Sequence, residues 1–246
     1  MRQSIELRFL YRPDVLSLIG VVILAGSFLA VIRQAYLPSM ARAYGKLDNP
    51  DYLALSCLDM LVFWFLTLTV TRARLTSRRG LALWRLDRGA MQSLGVNAFV
   101  QVIPAGLTGL VIPEIITAMG ERMAFPLKLG GVCLLGLLCV FWIWLSVRCF
   151  VMSYIAWESG HAGFRIAQSY EAMKGHVWSY VFWSAVLTVP FALTTVLVQK
   201  TAAFALSGSS LIGASLIVTT MIAVANHILS RNFDLLFFQA LRPDRV

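Results

Sequence analysis

"LKLGGVCLLGLLCVFWIWLSVRC", residues 127–149, carries Lys128 near its start, Arg148 near its end and no charged side chain between them. An α-helix rises about 1.5 Å per residue and a bilayer hydrocarbon core is about 30 Å thick, so roughly 20 apolar residues make one crossing. This stretch has that length. Windows of the same kind recur at 14–32, 52–71, 94–118, 179–199 and 209–229. The reading is an all-α fold, a polytopic membrane bundle of six spans forming one domain over 1–246, with the third span interrupted by Pro104 and Pro113.

Composition agrees with lipid as the main solvent. The chain is 59% hydrophobic and 13% charged, where soluble domains average about a quarter charged. Its net charge of +9 comes from arginines set beside apolar runs. Such cations meet anionic phospholipid head groups and fix topology, so phospholipids are the expected partners and nucleic acid is not. Cys57, Cys133, Cys139 and Cys149 lie in or at the ends of apolar segments without metal or redox spacing. No cleavable leader is read in "MRQSIELRFLYRPD", so the first span is expected to be retained.

Orientation follows from the basic residues on alternate sides. Six spans put both termini on one side together with the 72–92 and 148–178 connections, and that side collects 15 of the 21 Lys and Arg residues. The other side has Arg33, Arg42, Lys46, Arg122, Lys128 and Lys200. Positive residues stay inside, so both termini are expected in the cytoplasm.

The two long connections on that side share a pattern 80 residues apart. "GLALWRL" at 80–86 and "GHAGFRI" at 160–166 both read Gly, three residues, aromatic, Arg, aliphatic, which hints at an internal duplication of spans two and three in spans four and five. As a helix, 162–175 places Gly163, Ile166, Ala167, Tyr170 and Met173 on one stripe and Arg165, Gln168, Glu171 and Lys174 on the other. Gly160 and Gly175 bracket it. Residues 80–92 set Leu83, Leu86 and Ala90 against Arg85 and Arg88 in the same way. Both are expected as interfacial amphipathic helices, connectors that can also form a platform for lipid or a partner.

The stretch 146–181 contains Arg148, Glu158, Gly160, Ala167, Ser169, Lys174, Gly175 and Trp178. In this order it resembles the signature of the YciC-like bacterial integral membrane proteins, a class related to the membrane domain of some glycerophosphodiester phosphodiesterases. There a span ends in Arg, Glu-x-Gly follows, and an Ala-x-x-Ser helix closed by Lys-Gly leads into the next span. The resemblance implies a multi-pass protein of the bacterial inner membrane, without the catalytic domain that accompanies some relatives.

Charged groups at membrane depth need a reason. Each costs about 3 kcal/mol at the centre on insertion scales. Asp59 in span two and Glu114 after Pro113 in span three fall at comparable depth. They read either as an ion or proton path, or as structural pairs with Arg33 and Lys128. The run "VIPAGLTGLVIPE" with its prolines and glycines fits a broken transporter helix and equally a kinked helix packed through small residues. Glu158 is expected to bond Arg148 or Arg165 and staple the interfacial helix to span four. His161 and His176 stand 15 residues apart, about 22 Å on one helix, with His227 in span six, so no metal site is read and no cofactor is expected.

No G-x-S-x-G, H-E-x-x-H or phosphate-binding loop occurs. Three functions stay open. The first is an accessory or scaffold protein of the envelope, working through lipid contacts, a membrane-protein complex or a homo-oligomer, with Arg85, Arg88, Arg148, Glu158, Arg165 and Lys174 as lipid or partner contacts. The second is a small transporter or channel using Asp59 and Glu114. The third is a lipid-modifying enzyme at the cytoplasmic interface, resting on Glu158 and His161.

Overall fold

The computed structural model describes residues 8–43, 50–106, 125–160, 166–205 and 209–241, which are nearly all helix with short irregular links at 76–79 and 85–87 and no strand among them. Eight α-helices follow in chain order: α1 Pro13–Ala43, α2 Pro50–Leu75, α3 Arg88–Gly106, α4 Phe125–Ser146, α5 Met152–Glu158, α6 Ile166–Ala172, α7 Val177–Ala205 and α8 Ser209–Ala240. A short 3₁₀ turn, Gly80–Trp84, sits between α2 and α3, and a π turn, Val147–Val151, joins α4 to α5. Helices α1, α2 and α8 pack against one another, α7 lies along α8, and α3 packs on α5.

Among the described residues four helices are long and apolar enough to cross a membrane: Pro13–Ile32, Gly130–Glu158, Val177–Thr201 and Gly213–Ala240. These overlap the windows expected at 14–32, 127–149, 179–199 and 209–229. The 52–71 window lies in α2, a helix outside that set, whose last half carries Thr67, Thr69, Thr71, Arg72 and Arg74. The 94–118 window begins in α3, and Pro104 is helical there, but Pro113 and Glu114 lie outside the described residues.

Two expectations change. Residues 80–92 are not one amphipathic helix: Gly80 takes φ 55°, the 3₁₀ turn ends at Trp84, and α3 starts afresh at Arg88. The break has a cause, because Asp87 caps α3, its Oδ1 accepting the Ala90 amide at 2.9 Å. The helix expected at 162–175 covers Ile166–Ala172, with 161–165 outside the described residues. Its polar side, Gln168, Glu171 and Lys174, is exposed as the periodicity has it, but Ile166 and Ala167 are exposed as well, and burial falls on Ser169 and Met173.

The span-four helix also runs further than its apolar window. Hydrogen bonding widens to a π turn at Val147–Val151 and then resumes through Glu158. A π turn adds a residue without ending the helix, so the stretch after Cys149, with Ser153, Tyr154 and Glu158, stays helical and turns inward. α5 is buried at nearly every position. By contrast α4 and α7 present Leu134, Leu137, Phe141, Phe182, Leu193 and Leu197 outward. Such faces are at ease only against acyl chains or another apolar surface.

Candidate functional site: a polar lattice where the helix ends meet

Several helix ends gather in one place. The start of α1, the end of α2, the 76–87 link, the start of α3, α5 and the last turns of α8 are joined there by polar contacts. Arg72 is the hub. Only 1% exposed, it donates from Nε to the Glu158 carbonyl at 3.2 Å, from Nη1 to the Leu83 and Arg85 carbonyls at 2.8 and 2.7 Å, and from Nη2 to Asp87 at 2.8 Å. A planar fork with fixed donors is suited to this, and a buried guanidinium without such partners is very costly.

Asp87 joins three elements. It pairs with Arg72 at 2.8 Å and with Arg78 at 2.9 Å while capping α3. Burial alone would raise its carboxyl, but the Ala90 amide and the Arg78 and Arg72 guanidiniums outweigh it and hold the group below the usual carboxylate range. At the start of α1, Asp14 pairs with Arg12 at 2.8 Å and accepts the Gly80 amide at 2.7 Å. Arg12 reaches on to the Ala73 and Arg78 carbonyls. The link between α2 and α3 is thereby fastened from both sides.

A second layer lies between α2, α5 and α8. Glu158 is 0% exposed; its Oε2 accepts the Thr71 hydroxyl at 3.1 Å and its Oε1 has no hydrogen-bond partner. Tyr154, one turn earlier on α5, is buried with its hydroxyl also unbonded. The Arg231 guanidinium lies 4.6 Å from the centre of the Tyr154 ring and pairs with Asp234 at 3.1 Å. Asp234 also accepts the Tyr180 hydroxyl at 2.7 Å, which ties the start of α7 to α8. His227 Nε2 lies 2.6 Å from Thr67 Oγ1. With the Thr67 proton on the Phe63 carbonyl at 3.0 Å, His227 Nε2 is the donor in that contact.

Arg148 does not reach Glu158. Its guanidinium stacks on Tyr170 at 3.6 Å and on Trp144 at 5.1 Å, and it donates to the Tyr170 carbonyl at 3.1 Å. Ser169 donates to the Arg148 carbonyl at 3.2 Å. The staple that holds α6 is therefore a cation–π stack. Glu158 is buried and serves α2 instead, so of its two expected partners Arg148 is engaged elsewhere and Arg165 lies outside the described residues. Helix α5 carries Glu158 back into the bundle, which a span ending at 149 did not anticipate.

Of the other expected residues, Arg85, Arg88 and Lys174 are exposed around this lattice, Asp59 is half-buried in α2 and engaged in an interaction, and Arg165, His161 and Glu114 lie outside the described residues. Along 79–91 exposed cations alternate with exposed apolar side chains: Arg79, Leu81, Arg85, Leu86, Arg88 and Met91. Among the described residues no three His, Cys, Asp or Glu side chains come together as metal ligands.

Arg72, Asp87, Tyr154 and Arg231 were not legible as a site. Arg72 and Arg231 carry the same sequence signal as any topology-setting arginine. The one usable cue was Tyr154 with Glu158, four residues apart and therefore on one helical face. The family-model scan and the searches of curated proteins and of solved structures find no match to this chain. The class that fold and lattice define is thus an all-helical protein, four of whose described helices are long and apolar enough to cross a membrane, with a polar lattice where helix ends meet.

Proposed function

We propose that this chain is a six-span protein of the bacterial inner membrane with both termini cytoplasmic, and that it works as an accessory or scaffold component by presenting a rigid cytoplasmic-side platform to anionic phospholipid. The alternation of exposed cations and exposed apolar side chains along 79–91 carries this reading. Leu81, Leu86 and Met91 suit the acyl boundary while Arg79, Arg85 and Arg88 suit phosphate, the division of an interfacial segment. Rigidity comes from beneath, where Arg72, Asp87 and the Arg12–Asp14 pair fix the same link.

Membership of the YciC-like class belongs to the same proposal. Its signature positions have structural work here: Gly160 and Gly175 take φ 80° and 79°, Ser169 bonds the Arg148 carbonyl, and Glu158 anchors α5 to α2.

Native mass spectrometry from nanodiscs of phosphatidylcholine with phosphatidylglycerol tests the proposal. Wild type is expected to retain phosphatidylglycerol selectively, and the Arg79→Gln, Arg85→Gln, Arg88→Gln triple variant to lose that preference at unchanged thermal stability. Equal retention of both lipids by wild type would overturn it. Proton or cation flux into vesicles that is abolished by Asp59→Asn would favour the transport reading instead.

A further inference from the structure

Glu158 is the ionisable carboxyl in the second layer whose burial and bonding do not match. Its carboxyl is fully buried, Oε2 has a single hydroxyl donor, and Oε1 has none. Both nearby cations are committed elsewhere. Arg72 gives its Nε to the Glu158 main-chain carbonyl and its remaining hydrogen bonds to Leu83, Arg85 and Asp87. Arg231 is stacked on Tyr154 and paired with Asp234. No cation among the described residues lies within ion-pair distance of the Glu158 carboxyl. An ionised carboxylate so placed would be one of the costliest groups in the molecule.

Tyr154 presents the complementary gap. It stands on the same face of α5 with a buried hydroxyl that makes no hydrogen bond of good geometry among the described residues. A proton on Glu158 Oε1 removes the buried charge and turns the acid into a hydrogen-bond donor on the face it shares with Tyr154.

We propose that Glu158 is a proton-binding site between α2, α5 and α8, holding its proton on Oε1 toward Tyr154, and that loss of this proton moves Arg231 from Asp234 to Glu158. In the release step the Oε1–H bond breaks, the proton passes to water, and the electron pair stays on the carboxylate. The charge left behind is then matched by the Arg231 guanidinium, which donates to Asp234 through Nη1 alone. The groups facing the site are Thr71 and Arg72 from α2, Tyr154 from α5, and Arg231 with Asp234 from α8. His227, held by Thr67, stands one turn beyond Arg231 on α8, and Asp87 sits behind Arg72. Arg231 thus has two alternative carboxylate partners on different helices, which is the form a two-state element takes.

Infrared spectroscopy of the full chain in phosphatidylcholine–phosphatidylglycerol nanodiscs reads the proton directly. At neutral pH wild type is expected to show a carboxylic-acid C=O band that shifts in D₂O, shifts again when the protein is made with ¹³C-glutamate, and disappears in Glu158→Gln but not in Asp234→Asn. Tyr154→Phe should retain the band at a changed frequency. If Glu158→Gln does not fold, the labelled wild-type protein still decides, since a band without the ¹³C-glutamate shift, or no band, overturns the proposal. For the coupled movement, raising the pH should increase hydrogen exchange in the last turns of α8 beyond the intrinsic rate change in wild type but not in Glu158→Gln. Identical pH dependence in the two proteins would sink the Arg231 switch.

Discussion

Arg72 shows how one side chain can hold the loose ends of several helices. Its hydrogen bonds go to main-chain carbonyls and one carboxylate in three different segments. Lysine keeps the charge but supplies a compact ammonium that cannot span those acceptors. Arg72→Lys is therefore expected to cost about 3 kcal/mol, the usual scale for breaking a buried ionic cluster, measured by thermal unfolding in detergent. Asp87 gives a pH prediction with a definite sign. Its folded carboxyl titrates below the unfolded value, so its contribution is complete above the unfolded pKa and is lost as pH falls through the folded one. Asp87→Asn should be less stable than wild type at neutral pH, and the gap between them should narrow on acidification. Equal slopes in acid would show that Asp87 is not stabilised by its partners. None of this could be read beforehand, because an arginine beside an apolar run looks the same whether it meets a phosphate or a carbonyl.

Helices were legible where their apolar runs were long and uninterrupted. The windows at 127–149, 179–199 and 209–229 all lie in helices long and apolar enough to span. Their ends were not, since a polar residue stops an apolar count without stopping a helix. α8 runs to Ala240, about 48 Å for its 32 residues at 1.5 Å each, well beyond a core of about 30 Å. Its last turns, with Arg231 and Asp234, could thus join the lattice. Close approach between elements is equally hidden in sequence. Gly89 opens α3 directly against the Trp157 carbonyl, where an added Cβ would collide with backbone. Gly26 meets only the Thr220 methyl, at 3.1 Å, and Gly95 meets nothing within 4 Å. Stability should therefore order as Gly95→Ala, then wild type, then Gly26→Ala, then Gly89→Ala. The first should gain roughly 0.5–1 kcal/mol from helix entropy, and the last should lose about 2 kcal/mol or more. Denaturant titration of the four proteins in one detergent checks the order, and a neutral Gly89→Ala would refute the contact.

At the scale of the whole molecule, the basic asymmetry of the sequence has a structural counterpart. The start of α1, the ends of α2 and α5 and the C-terminal turns of α8 share one polar region. The proposed orientation predicts that a reporter fused after Val246 is active inside the cell and one inserted at Gly208 is active outside. The opposite pattern would invert the proposed orientation while leaving the lattice intact. The order in which the lattice closes also matters while the chain is being made. Three of the Arg72 acceptors, Leu83, Arg85 and Asp87, lie 11, 13 and 15 residues further along, whereas Glu158 is 86 residues away. The charge at the end of α2 can be neutralised and its donors occupied as soon as residue 87 has left the ribosome. The first third of the protein thus carries its own provisional closure during synthesis, and α5 arrives later to complete a turn that is already formed.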